Sequence, residues 1–247
     1  MKKTSKKAKL HKSSRDYTGR LLNENTPFAA LEAFKTLRTN LMFTAAGKST
    51  PVFGVVSSFP NTGKSLISAN TAIAFSMANK KVLLIDCDMR KPVQHKCFKV
   101  HNDQGVSELL SGQASYEEVI KPAPGYENLY LMTSGHIPPN PQELLSSESM
   151  TEMIENLKTA FDVVILDLPP VSVVADAMTI AKQVTGYMFV VHAGESEKNA
   201  VKTTIAKMQS MECNIAGIVL NFVDLKSGSY YKSSYYNSYY YSDSQPL

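Results

Sequence analysis

The stretch "SSFPNTGKS", residues 57–65, ends in Gly63-Lys64-Ser65, the closing half of the phosphate-loop pattern GxxxxGK[ST]; Ser58 stands where its first glycine would be. In that pattern a turn's main-chain N–H groups wrap a β-phosphate, aided by the partial positive charge of the helix that follows. The lysine reaches the β- and γ-phosphates and the hydroxyl ligates Mg²⁺. Pro60, Asn61, Thr62, Gly63, Lys64, Ser65 and Leu66 are therefore the expected nucleotide-contacting residues. Two later apolar runs end in carboxylates: "KVLLIDCD" supplies Asp86 and Asp88, and "FDVVILD" supplies Asp167. A carboxylate after four apolar residues is costly to bury unless a cation or donors meet it. Either run alone could end in a turn cap, but two of them after a Gly-Lys-Ser loop point to one Mg–nucleotide site. Ser65 and carboxylates from among Asp86, Asp88 and Asp167 are its expected metal-binding groups.

Bringing these groups together requires strands that end at one edge. "VFGVVSS", "KVLLIDCD", "NLYLMTSG", "FDVVILDLPP", "GYMFVVHAG" and "NIAGIVLNFV" read as strands, most of them continuous Val/Ile/Leu runs of the kind buried on both faces of a parallel sheet. "KSLISANTAIAFSMAN", "SESMTEMIENLKTA", "VADAMTIAKQ" and "EKNAVKTTIAKMQSM" read as helices between them. Ligands of such folds gather outside the carboxyl ends of the strands. The expected fold is α/β: a doubly wound, mainly parallel sheet of P-loop NTPase type over residues 26–224. Ahead of the first strand, Phe28, Leu31, Phe34, Leu37 and Leu41 recur at helical spacing after Thr26-Pro27. Glu32, Lys35 and Arg38 form a charged stripe on the same helix, with Glu32 placed to pair with Lys35.

The 247 residues are 43% hydrophobic with a formal charge of +4, enough for one sizeable core. The charge is uneven. The first twenty residues hold eight Lys or Arg against one Asp, leaving 18 basic against 21 acidic residues elsewhere. Residues 1–25 read as a disordered basic arm. Its charges precede no apolar stretch, so it is not a signal peptide, and no run of apolar residues is long enough to span a bilayer. Cys87, Cys97 and Cys213 show no CxxC spacing and suit a reducing cytoplasm. Nucleic-acid binding is disfavoured because the basic arm and the aromatic residues lie at opposite ends of the chain.

The last twenty-one residues contain seven of the twelve tyrosines: Tyr230, Tyr231, Tyr235, Tyr236, Tyr239, Tyr240 and Tyr241. A buried strand would mix aliphatic residues with its aromatics. Here the separators are almost all Ser, Lys, Asn and Gly, so residues 225–247 read as a flexible tail displaying phenols.

Taken with "SGHIPPNPQELL", these motifs resemble the bacterial tyrosine kinases, and within them the cytoplasmic component of Gram-positive capsule and exopolysaccharide systems. The resemblance runs from about Phe28 to the C-terminus. It implies ATP and Mg²⁺ as cofactors and a protein-tyrosine autokinase regulating polysaccharide synthesis and export. It assigns Lys64, Asp86, Asp88 and Asp167 to catalysis, with Asp88 polarising the incoming tyrosine hydroxyl and Asp86 orienting the metal through water. Asn221 resembles a base-contacting asparagine, though an Asn at a strand end also serves as a turn residue. "EAFKTLR" resembles an ExxRxxR association motif, so Glu32, Lys35 and Arg38 are expected to join subunits into a ring. Lys35 replaces its first Arg, which keeps the charge and loses bidentate geometry. The tail tyrosines become phosphoacceptors, modified in trans around that ring. A membrane-spanning activator would hold the chain at the inner face of the plasma membrane, and a cognate tyrosine phosphatase would reverse the reaction.

The main rival is a switch ATPase of the MinD or ParA type without kinase activity. Such proteins have a second lysine early in the phosphate loop, and no lysine precedes Lys64 in "SSFPNTGKS". A nucleotide-stabilised scaffold would not need Lys64, Ser65, Asp88 and Asp167 all intact.

Overall fold

Val52-Phe53-Gly54-Val55-Val56-Ser57 is buried at every position, as are Val82-Leu83-Leu84-Ile85-Asp86 and Val163-Val164-Ile165-Leu166-Asp167. Runs of this kind have no polar side to offer solvent, so each needs helices on both faces. The computed structural model describes residues 17–171 and 176–223 and builds that arrangement. In chain order it comprises α1 (Phe28–Thr44), β1 (Val52–Ser57), α2 (Lys64–Ser76), β2 (Val82–Asp86), α3 (Gln94–Cys97), α4 (Val106–Leu110), α5 (Tyr116–Val119) and β3 (Ile120–Pro122). There follow β4 (Leu129–Met132), α6 (Pro141–Leu145), α7 (Glu148–Lys158), β5 (Val163–Asp167), α8 (Asp176–Thr179), β6 (Gly186–His192), α9 (Lys198–Ser210) and β7 (Ile215–Asn221). The seven strands are ordered β3-β4-β2-β5-β1-β6-β7. All pairs are parallel except β3 with β4.

Strand alternation sorts the side chains into two layers. Val52, Val56, Leu83, Ile85, Val164 and Leu166 face one side, where they meet Met150, Met153, Ile154 and Leu157 of α7 and Met208 of α9. Phe53, Val55, Val82, Leu84, Val163 and Ile165 face the other, against Leu41 of α1 and Ile67, Ala69, Ala72 and Ile73 of α2. The same alternation sends Asp86 and Asp167 to the α2 side. They are Cα partners across the β2–β5 ladder, and Asp167 is also the partner of Val55 on β1. α7 begins at a Ser147 cap that accepts the Met150 N–H at 3.2 Å, and its apolar residues follow at helical spacing.

The doubly wound, mainly parallel fold is as expected, with three revisions. The arm expected over 1–25 is packed from Tyr17 onward: Leu21 and Leu22 are buried, and Asn70 of α2 binds both sides of this segment. Its Oδ1 accepts the Leu22 N–H at 2.7 Å and its Nδ2 donates to the Arg20 carbonyl at 3.0 Å. Second, β3 and the short helices α3 to α6 had no sequence signal; at three to five residues each they carry too little periodicity. Third, of the helix read in "VADAMTIAKQ", only Asp176–Thr179 is helical among the described residues. Phe28, placed on the apolar face of α1 by spacing, is 58% exposed. The basic residues up to 16 and the seven tail tyrosines lie outside the described residues.

Candidate active site

β1 runs directly into the phosphate loop. Ser58, at the missing glycine, is buried, and its hydroxyl donates to Thr204 Oγ1 of α9 at 3.1 Å, so the departure from the pattern is satisfied within the fold. Asn61 (φ 64°) and Gly63 (φ 82°) take left-handed conformations that curve the loop into the start of α2. Gly63 is required on a second ground: a Cβ there would lie 2.1 Å from Asn221 Nδ2. Among the described residues, no N–H from Asn61 to Leu66 has a protein acceptor, and the buried Thr62 hydroxyl has no partner. A row of unfilled donors at a helix N-terminus fits phosphate.

Below the loop sits one buried cation among three buried carboxylates. Lys64 Nζ donates to Asp167 Oδ1 at 2.8 Å and lies 3.8 Å from Asp88 Oδ2. Burial works to lower the lysine pKa, but Asp167, then Asp88 and Asp86, outweigh it and hold it above the ordinary value. Asp167 is wholly buried. Its Oδ1 also accepts the Ser68 hydroxyl at 3.2 Å, and its Oδ2 accepts Gln94 Nε2 at 2.8 Å.

Asp86 is equally buried. Its Oδ2 accepts the N–H groups of Val93 and Gln94, both at 2.9 Å, and its Oδ1 accepts that of Asp88 at 3.3 Å. Burial, reinforced by the Asp167 charge, pushes its pKa up to about 7. Asp86 thus fastens the loop after β2, with both oxygens engaged by the main chain. Asp88 is nearer the rim. Its Oδ1 accepts the Lys91 N–H at 3.1 Å, and burial raises its pKa against the pull of Lys64.

Three carboxylates against one lysine leave the site short of positive charge, and the two raised acid pKa values reflect burial first and the neighbouring Asp167 charge after it. A divalent cation would relieve the shortage. No group of three or more His, Cys, Asp or Glu forms a metal cage among the described residues. The donor set of Ser65, Asp88 and Asp167 instead fits Mg²⁺, which binds through one or two carboxylates together with phosphate oxygens and water.

The remaining expected residues fall as follows. Pro60, Asn61, Thr62, Lys64, Ser65 and Leu66 all lie on the loop or the first turn of α2. Asn221 ends β7 against the loop, where its Nδ2 donates to the Thr62 carbonyl and its Oδ1 accepts the Phe222 N–H, both at 2.9 Å. A base contact would require these bonds to be exchanged. Phe222, itself left-handed at φ 58°, stacks on His192 with ring centroids 4.3 Å apart. Glu32 and Lys35 pair at 2.7 Å as expected, while Arg38 donates to the Ala74 carbonyl of α2 at 2.7 Å, away from the nucleotide site. The "SGHIPPNPQELL" segment folds against α4, where Glu108 accepts the N–H groups of Gly105 and His136.

Sequence reading missed Ser68 and Gln94. Ser68 was discoverable, since it lies one helical turn from Lys64 and so shares its face. Gln94 follows a proline-containing loop and has no periodic signal.

Residues 61–186 match the family model described as an AAA domain. The chain is 36% identical over 200 residues to tyrosine-protein kinase YwqD of Bacillus subtilis (strain 168), covering 81% of this chain and 84% of that one. The structure of the kinase domain of Escherichia coli tyrosine kinase ETK superposes with a TM-score of 0.76 at 30% identity, covering 90% of this chain and 89% of that one. The septum site-determining protein MinD of Pyrococcus horikoshii, solved with Mg-ADP, reaches a TM-score of 0.59 at 22% identity, covering 69% of this chain and 70% of that one; this likeness is one of fold.

Proposed function

We propose that this chain, which belongs to the bacterial tyrosine kinase family, works as an ATP-dependent protein-tyrosine autokinase through the Lys64–Asp88–Asp167 cluster. It is a nucleotide-binding P-loop protein, and the MinD-type switch ATPase is a distant relative only. The observation that carries the reading is Lys64, held between Asp167 and Asp88 beneath a row of unfilled N–H donors.

Phosphoryl transfer asks the protein for positioning and charge more than for covalent chemistry. When bound, Mg²⁺–ATP supplies the transferable γ-phosphoryl group and neutralises the charge that moves with it. The loop N–H groups from Asn61 to Leu66 hold phosphate. Lys64 is a cation already poised on the same edge, and Ser65, Asp88 and Asp167 would hold the metal. Tyrosine has a pKa near about 10, so a positioned carboxylate must take its proton. Asp88 is the candidate. Its Oδ1 accepts the Lys91 N–H and its Oδ2 faces Lys64 Nζ at 3.8 Å, so Oδ2 would receive the proton as the ammonium turns to phosphate, and its raised pKa makes it a better base than an exposed aspartate. Asp86 fixes the loop that carries Asp88 and acts as a positioning residue.

The acceptors are the tail tyrosines from Tyr230 to Tyr241, modified in trans within a ring joined through Glu32, Lys35 and Arg38. A membrane-spanning activator brings the chain to the inner face of the plasma membrane, a tyrosine phosphatase resets it, and the system serves capsular or exopolysaccharide synthesis and export. No helix among the described residues is long and apolar enough to cross a membrane.

The test is intact mass after incubation with Mg-ATP, for wild type and Lys64→Met, with and without a candidate activator peptide. Stepwise additions of single phosphates to wild type alone, mapping to residues 230–241, are expected. ADP release with no added mass would move the chain to the switch ATPases.

A further inference from the structure

Gln94 is 1% exposed and joins three parts of the site. Its main-chain N–H goes to Asp86 Oδ2, and its side-chain Nε2 donates both to Asp167 Oδ2 at 2.8 Å and to the Ser65 carbonyl at 3.0 Å. Two acceptors facing one end of the amide fix its orientation, because the flipped form would set oxygen against a carboxylate and a carbonyl. The other end, Oε1, is then buried and has no donor among the described residues. By covalent geometry it lies no more than about 5 Å from Asp167 Oδ2. A buried acceptor without a donor is uncommon and asks for a partner that arrives with a ligand.

The chemistry narrows that partner. Phosphate and carboxylate are themselves acceptors and would repel Oε1. Water bound to a divalent cation is a strong donor, and Mg²⁺ keeps several waters when it binds a nucleotide. We infer that Gln94 is a positioning residue of the metal–nucleotide site: its amide nitrogen locks the Asp167 carboxylate to the phosphate loop at Ser65, and its amide oxygen accepts a hydrogen bond from a water of the cation's hydration shell. The inference rests on the reading of Ser65, Asp88 and Asp167 as the metal's holders. It separates the two ends of one side chain, since the nitrogen acts with or without ligand and the oxygen acts only when the cation is present.

The experiment measures ADP affinity of the full chain by calorimetry, in Mg²⁺ and in EDTA, for wild type and for Gln94→Met, which keeps the volume and removes both polar ends. Outer-shell partners of a metal site change metal affinity by about 10–100-fold when removed. The Mg²⁺-dependent gain in ADP affinity, the ratio of the affinities in Mg²⁺ and in EDTA, should therefore fall about tenfold or more in Gln94→Met, whatever the lost amide nitrogen does to the affinity in EDTA. A purely structural role would weaken both alike. An undiminished Mg²⁺ gain in a folded Gln94→Met overturns the inference and leaves the site reading intact. Wild type with no Mg²⁺ gain at all overturns both.

Should Gln94→Met not fold, wild type still decides through its assigned Gln94 side-chain amide resonances. These should shift on adding Mg-ADP and stay in place on adding ADP in EDTA. Identical shifts in the two cases overturn the inference.

Discussion

The site has two unlike walls. At the centre of the sheet, Asp86 and Asp167 end neighbouring strands at zero exposure, and hydrogen bonds or an ion pair engage both oxygens of each. At the β7 edge the adjoining residues are apolar yet exposed, Ile218 at 58% and Leu220 at 43%, and the wall touches the phosphate loop through Asn221 and Phe222. The centre handles charge in a low-dielectric interior, where an ion missing its partner is very costly. The edge handles neutral contacts beside water, where a lost contact costs little. The cluster is therefore rigid at the centre of the sheet and adjustable at its β7 edge.

The largest expected break lies at the centre. Asp167→Ala takes from the buried Lys64 its 2.8 Å partner and leaves it Asp88 at 3.8 Å, and a broken buried pair costs about 3–5 kcal/mol. Urea unfolding should show that loss alongside abolished phosphorylation in the mass assay; a loss below about 1 kcal/mol would mean that the pair is solvated in solution.

Next comes pH. Asp86 titrates near 7 in the folded chain and near its ordinary 3.8 when unfolded. Between those values the folded state holds the extra proton, so stability falls as pH rises through the window. Lys64, raised from an already high value, stays charged in both states throughout that range and adds no slope. Wild type should lose stability between about pH 4 and about pH 7, and Asp86→Asn should lose less. Parallel curves for the two proteins would move the titration to another group.

The edge supplies the smaller effects. Asn221→Ala removes the bond to Thr62, worth about 0.5–1.5 kcal/mol, and should weaken ADP binding a few-fold with little change in melting temperature. Ile218→Lys should stay within about 0.5 kcal/mol of wild type, as exposed positions do. A penalty above about 2 kcal/mol at Ile218 would show this face covered in solution and bring the two walls closer in character.

What could be read from the sequence follows the same division. The central strands announce themselves because apolar runs end in acids, which a fold can bury only beside a cation or hydrogen-bond donors. Gly63-Lys64-Ser65 then fixes where the loop must be. The antiparallel strand Ile120–Pro122 is short and half-exposed, so neither alternation nor length marks it. Leu21 and Leu22 sit in a polar stretch, and what orders them is an asparagine 48 residues away on α2. Gln94 is silent for the same reason: its partners Ser65 and Asp167 lie 29 and 73 residues from it. Local chemistry is written locally, whereas satisfaction of buried polar groups belongs to the assembled fold.

The central place of β1 also sets a clock. Its ladder partners are Val163–Asp167 of β5 and Gly186–His192 of β6, each more than a hundred residues further along the chain. At synthesis rates of about 5–20 residues per second, the strand that feeds the phosphate loop waits on the order of 10 s for its neighbours to be made. Long-range parallel pairing of this kind is also slow to close once the residues exist. The nucleotide site is thus among the last features to form, and bound ADP should slow unfolding far more than it speeds folding.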